Sequence, residues 1–221
     1  MGQLSPYKTF IFDWDGTLRG VSTARKLNAA LNPHWRTKKS LSRGSVRKYT
    51  KDEIAANMRH VHTGRTLAEL HEAETALLTF IGDLSLAFIV PRLSYGSRET
   101  LEALKEKGKE VALFTDAALW RVYRELDRLN VIGYFDAILS AQSIMRLKPD
   151  PLGIEILLRV LRANRRTTIY VGDSIDDIKL AENAGIASAA VTNGFDSASM
   201  LSKWRPDYMF TSMEEFGRAL L

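Results

Sequence analysis

The sequence predicts an α/β fold: a doubly wound parallel sheet with a small helical domain inserted after the first strand. Three observations predict it. Short apolar runs recur along the chain, each too short for a helix. Helical patterns lie between them, and strand–helix alternation of this kind builds a parallel sheet covered on both faces. The alternation breaks once, from Gly20 to about Ser94, where roughly 75 residues stand in place of the dozen or more that a crossover needs.

The predicted strands are Thr9–Phe12, Glu110–Phe114, Phe135–Leu139, Thr168–Val171 and Ile186–Val191, with Asp207–Phe210 as a short edge strand. Ser97–Lys107 reads as a helix with Leu101 and Leu104 on one face and Gly108 as its C-cap. Ala118–Leu129 places Leu119, Val122, Leu126 and Leu129 at helical spacing. Leu152–Leu161 follows Pro151, which suits a helix start. Ile178–Ala184 ends at Gly185. Within the long interruption, Asp52–His62 and Thr66–Phe80 show helical periodicity, punctuated upstream by Asn32-Pro33 and Gly44. The expected division is a core of residues 1–19 and 95–221 and a helical domain of residues 20–94.

Composition narrows the functional classes. Of 221 residues, 45% are hydrophobic and 26% charged, which excludes a disordered or fibrous chain. Cysteine is absent, so disulfides, Cys-ligated zinc and a thiol nucleophile are excluded. The first residues carry no long apolar stretch with a small-residue cleavage site, so secretion through a signal peptide is not expected. The apolar stretch Leu77–Val90 is interrupted by Gly82 and Asp83 and is too short to span a bilayer. A cytoplasmic protein without membrane association is expected. The net charge is +5, but its distribution is uneven. From Gly16 to Lys51 there are ten Lys and Arg and no Asp or Glu, which leaves the rest of the chain at −5. Such a stretch is either a solvated surface or a collar that attracts an anionic substrate.

In a doubly wound sheet the site lies at the carboxyl ends of the strands. The first strand is followed by Asp13-Trp14-Asp15-Gly16-Thr17, the second by Thr115-Asp116, the third by Lys148-Pro149-Asp150, and the fourth by Gly172-Asp173-Ser174-Ile175-Asp176-Asp177. Asp13, Asp15, Asp173 and Asp177 would repel one another without a cation. A hard divalent ion with oxygen ligands resolves the conflict, and Mg²⁺ is the usual choice beside phosphate. With Lys148, the Thr115 hydroxyl and backbone amides, such a cluster can hold a phosphoryl group. Asp13 can then attack phosphorus, while Asp15 protonates the leaving oxygen and later deprotonates water.

These segments resemble the four motifs of the haloacid dehalogenase (HAD) superfamily of phosphohydrolases. Phe12-Asp13-Trp14-Asp15-Gly16-Thr17-Leu18 is similar to the first, Thr115 to the second, Lys148-Pro149 to the third, and Gly172-Asp173-Ser174-x-x-Asp177 to the fourth. The resemblance covers Thr9–Leu18 and the stretch from about Ser94 to Phe210, and points to the phosphoglycolate-phosphatase-like group with a helical cap. It implies a Rossmann-like core with residues 20–94 as the cap. It implies Asp13 as nucleophile and metal ligand, and Asp15 as acid/base and backbone metal ligand. Thr115 and the Asp116 amide would bind phosphate, and Lys148 would stabilise the phosphoryl group. Asp173 would ligate Mg²⁺, with Asp177 supporting the metal shell.

The implied activity is Mg-dependent hydrolysis of a small phosphorylated metabolite through an aspartyl-phosphate, by a monomer or homodimer. An acid at Asp15 fits a phosphatase or a phosphomutase, since both leave an alkoxide that needs a proton. The mutase stays open at this level, as does a non-catalytic relative that binds anions or nucleic acid, although the complete cluster favours an enzyme with a small substrate over nucleic acid. Two residues depart from the family pattern. Trp14 replaces a smaller aliphatic residue and is expected to point away from the aspartates. Asp116 stands where Asn or Ser is usual, and its carboxylate must face away from phosphate or pair with a cation. No Walker-type or dinucleotide-binding loop is present. Gly172-Asp173-Ser174-Ile175-Asp176 lacks the closing Gly of a nucleophile elbow. The four His residues, His34, His60, His62 and His71, carry no metal-site pattern.

Overall fold

A computed structural model of the chain describes residues 2–20, 48–63 and 90–221. Six strands form one parallel sheet: β1 (Thr9–Phe12), β2 (Glu110–Thr115), β3 (Ala137–Ser140), β4 (Thr168–Gly172), β5 (Ala187–Val191) and β6 (Tyr208–Phe210). Their order is β3-β2-β1-β4-β5-β6. The central strand β1 pairs Phe12 with Leu113 on one side and with Val171 on the other. The edge strand expected at Asp207–Phe210 is β6, in register with Ala189–Val191.

Each strand feeds two cores because successive side chains leave opposite faces of the sheet. Phe10, Phe12, Val111, Leu113, Ile169 and Val171 enter one core. Ile11, Ala112, Phe114 and Tyr170 enter the other. The first face is covered by α2 (Ser97–Glu106), α3 (Leu119–Arg128) and α7 (Met213–Arg218), through Leu101, Leu104, Val122, Leu126, Met213 and Phe216. The second is covered by α4 (Leu152–Val160) and α5 (Ile175–Ala184), through Ile154, Leu157, Leu180 and Ala181. A short α6 (Ala198–Leu201) precedes β6.

The expected helix ends hold. Gly108 takes the left-handed conformation (φ 62°) after α2, and Pro151 precedes α4. Helix α5 begins earlier than its apolar periodicity indicates, because Ser174 and Asp177 form a capping box. Residues 198–201 and 213–218 carry too few apolar positions to reveal a helical period, and only the structure assigns them.

Part of the segment expected as cap lies against the core. Helix α1 (Lys51–Asn57), capped by Thr50 and Glu53, buries Ile54 on the face covered by α4. A 3₁₀ turn, Met58–His60, ends the helical run short of His62. His62 then exchanges backbone hydrogen bonds of 2.9 Å with Ile138 on the open edge of β3. Val61 is buried in the same core as Ile54, and the Tyr49 hydroxyl donates to Asp150 at 2.7–2.8 Å. The helical periodicity of this segment is thus the apolar face that packs on the core. The helix expected at Thr66–Phe80 and most of the basic stretch fall outside the described residues. No helix among the described residues is long and apolar enough to cross a membrane.

Candidate active site

Strand order reverses at β1, so the loops after β1 and β4 leave the sheet beside each other and open a crevice at its carboxyl edge. Asp13 leaves β1 with its amide bonded to the Val171 carbonyl at 2.9 Å. Asp173 leaves β4. The turn after Asp13 closes through Gly16 N to Arg19 O and Arg19 N to Trp14 O, both 2.8 Å. Gly16 has φ +96°, and a Cβ there would overlap the Asp173 carboxylate. Glycine is required on both counts.

The turn delivers Thr17, whose hydroxyl donates to Asp173 Oδ1 at 2.9 Å. The other oxygen, Oδ2, accepts from the Phe195 amide at 2.6 Å. A Cβ on Gly194 would also overlap Asp173, so the loop after β5 can approach only because that residue is glycine. Asp196 bonds the Ile175 amide at the start of α5 at 2.8 Å, which ties the same loop down.

Lys148 is buried between two carboxylates, its Nζ 2.7 Å from Asp13 Oδ1 and 2.7 Å from Asp177 Oδ1. The second oxygen of Asp177 accepts from the Ser174 hydroxyl at 2.6 Å and from the amides of Ser174 and Asp173 at 2.9 and 3.1 Å. Asp177 is therefore saturated, and it positions the ammonium. Asp13, Asp173 and Asp177 each place a carboxylate oxygen within 4.8 Å of the others, all three buried.

The electrostatics follow from burial. Asp13 is pushed up to about 7, chiefly by loss of water and further by Asp177 and Asp15, against the pull of Lys148. Asp173 is held well above the ordinary carboxylate range by burial and by Asp177 and Asp13. Burial opposes the charge on Lys148, yet Asp13 and Asp177 outweigh it and keep the ammonium protonated. When all three are ionised, these buried carboxylates outnumber the one ammonium. A hard divalent cation with oxygen ligands matches that donor set, so the residues fit Mg²⁺.

The structure thus brings Asp13, Lys148, Asp173 and Asp177 together. Thr115 ends β2, buried, with its hydroxyl accepting from the Ala117 amide at 3.2 Å. The Asp116 carboxylate turns to the lysine loop and accepts from the Lys148 amide at 3.0 Å. Asp15 lies in an ion-pair cluster with Arg19 and Arg121, anchored by Glu125. Trp14 is fully buried in the core, and it does more than pack: its indole donates to Glu125 at 2.6 Å. Sequence reading missed Arg19, Arg121, Glu125, Gly194 and Phe195 as parts of the site. One signal was available, since a buried indole N–H needs an acceptor.

The haloacid dehalogenase-like hydrolase family matches residues 10–191. Phosphoglycolate phosphatase 1 of Pseudomonas aeruginosa is 24% identical over 216 residues, 93% of this chain and 76% of that protein. Phosphoglycolate phosphatase of Colwellia psychrerythraea is 26% identical, with 96% of each chain covered. Pyrophosphatase PpaX of Bacillus velezensis is 30% identical over 117 residues, 53% of this chain and 54% of that protein. Several matched relatives, like the last, are spanned over only about half their length. The crystal structure of a predicted phosphoglycolate phosphatase from Haemophilus somnus superposes with a TM-score of 0.66 at 22% identity, covering 98% and 99% of the two chains. The chain belongs to the haloacid dehalogenase-like hydrolase family and is an enzyme of that family.

Proposed function

We propose that the protein is a phosphatase that hydrolyses a small phosphorylated metabolite through a phospho-aspartate on Asp13. The observation that carries this reading is the Lys148 ammonium, 2.7 Å from Asp13 Oδ1 and locked in place by Asp177. A nucleophilic carboxylate needs its charge balanced as the phosphoryl group arrives, and a buried lysine held by Asp177 does this without reorganising.

In the first step an Asp13 oxygen attacks phosphorus and the bond to the leaving oxygen breaks. Asp15 donates the proton that the leaving oxygen takes. In the second step Asp15 accepts a proton from water, the water oxygen attacks phosphorus, and the Asp13–phosphorus bond breaks to release inorganic phosphate. Lys148 offsets the negative charge in both steps. Thr115 and the amides after β2 serve as phosphate donors. Asp13, Asp173 and the Asp15 carbonyl would hold Mg²⁺, with Asp177 in support. When bound, the ion supplies positive charge at the phosphoryl oxygens. The names of the relatives support two substrate classes, a phosphorylated two-carbon acid and a pyrophosphate.

The test is phosphate release from an aryl phosphate and from a panel of phosphorylated metabolites, with and without Mg²⁺, for wild type and Asp13→Asn. Loss of at least about 10³-fold in Asp13→Asn is expected, as for removal of a nucleophile whose partners stay in place. Acid-quenched wild type should carry one phosphoryl group by mass spectrometry, and the variant none. Turnover unchanged in Asp13→Asn would overturn the reading. Transfer to a sugar hydroxyl in preference to water would favour a phosphomutase.

A further inference from the structure

Asp15 is held by two arginines rather than standing alone beside the nucleophile. Its Oδ1 accepts from Arg19 Nη1 at 2.9 Å and from Arg121 Nη1 at 3.2 Å, and its Oδ2 accepts from Arg121 Nη2. Both guanidiniums also reach Glu125. Arg121 Nη1 is 3.2 Å from each Glu125 oxygen, and Arg19 Nε is 3.0 Å from Oε2. The Trp14 indole donates to that same Oε2.

The cluster has a fixed end and an open end. The side chains of Glu125 and Arg19 are 3% and 6% exposed, and Trp14 pins the glutamate from the core. Those of Arg121 and Asp15 are 16% and 15% exposed and form the accessible edge. Among the described residues, with Asp15 in place, two cations meet two carboxylates and their charges cancel. Both Asp15 oxygens face guanidinium N–H groups. To serve a leaving oxygen, one of them must turn away and release Arg121 donors. Two arginines then face Glu125 alone, and the open edge carries net positive charge.

Building on the phosphatase reading, we propose that Arg121 is a specificity residue that receives a second anionic group of the substrate, a carboxylate or second phosphate beyond the leaving oxygen, in exchange for Asp15. The planar guanidinium suits either anion, since both offer paired oxygens to its fork. A substrate of this class would displace Asp15 toward its own leaving oxygen as it binds. A substrate without the second anion would leave the Asp15–Arg121 pair to be broken uncompensated.

The test compares phosphoglycolate with ethyl phosphate, which have the same carbon count and differ in one carboxylate, in wild type, Arg121→Gln and Arg121→Lys. Wild type should prefer the carboxylate substrate. Arg121→Gln should lower the ratio of the two kcat/KM values by about 10-fold or more, mainly through KM of phosphoglycolate, as for loss of a charge-assisted hydrogen bond. Arg121→Lys should fall between, having charge without the fork. The ratio is independent of how much of a preparation is folded. An unmoved ratio, including an equal loss on both substrates, would overturn the proposal and make Arg121 a positioner of Asp15 only. No turnover of either substrate or of an aryl phosphate by wild type would overturn the phosphatase reading, and this inference with it.

Discussion

The ammonium of Lys148 lies 2.7 Å from Oδ1 of Asp13, and both side chains are buried at the carboxyl edge of the sheet. The same nitrogen is equally close to Asp177, so one cation serves two carboxylates that would otherwise repel each other. Lys148→Ala leaves both charges buried without their partner. Kinetically the variant should lose about 10²–10³-fold in kcat, as when a single preorganised charge donor is removed. At pH 8 it should also lose about 3–5 kcal/mol of stability, the typical cost of breaking a buried pair from one side. Aryl-phosphate kinetics and urea unfolding check the two effects separately.

Asp15→Asn separates acid catalysis from binding. If Asp15 protonates the leaving oxygen, the variant should be slowed most with an alkyl phosphate and least with nitrophenyl phosphate, whose leaving group needs little protonation. The span between the two should reach about 10²-fold, the usual contribution of a positioned acid. Equal slowing on both substrates would assign the proton to another group.

Metal removal should make stability depend on pH in a stated direction. Asp13 is raised from 3.8 to about 7, so between those values the folded chain keeps a proton that the unfolded chain has lost. Stability in chelator should therefore be highest near the low end of this window and fall as pH rises through it. Asp173 is shifted in the same direction and adds to the slope. Asp13→Asn should flatten the dependence, and Mg²⁺ should restore stability most at pH 8. Urea midpoints at pH 5 and pH 8, with chelator and with Mg²⁺, provide the measurement.

Gly194→Ala tests the seat of Asp173 without altering a charged group. The added methyl would overlap the Asp173 carboxylate, which Thr17 and the Phe195 amide now hold from both sides. The Mg²⁺ concentration for half-maximal activity should rise about 10-fold, the lower end of what loss of ligand support costs. A Mg²⁺ titration at saturating substrate reads this directly.

The two halves of the problem differ in range. Strands β1, β2, β4 and β5 were legible because a strand buried on both faces writes itself as a continuous apolar run, and the polar residues that follow must lie at one edge of a parallel sheet. Asp13, Asp173 and Asp177 follow from that rule before any contact is known, and Lys148, in the loop beyond β3, from the resemblance of Lys148-Pro149 to the third family motif. By itself the sequence therefore determined the fold class, the family and the list of groups at the strand ends. Tertiary structure alone decided how those groups are partnered. Arg121 and Glu125 lie one helical turn apart, and only the packing of α3 brings Glu125 to the Trp14 indole and Arg121 to Asp15. Asp116 turned to the Lys148 amide, and residues 51–62 packed Ile54 and Val61 on the core and paired His62 with Ile138. The reason is physical. Periodicity reports which face of an element is apolar, but the partner of a buried charge is chosen by whichever distant loop or helix closes over it, and no local pattern encodes that choice.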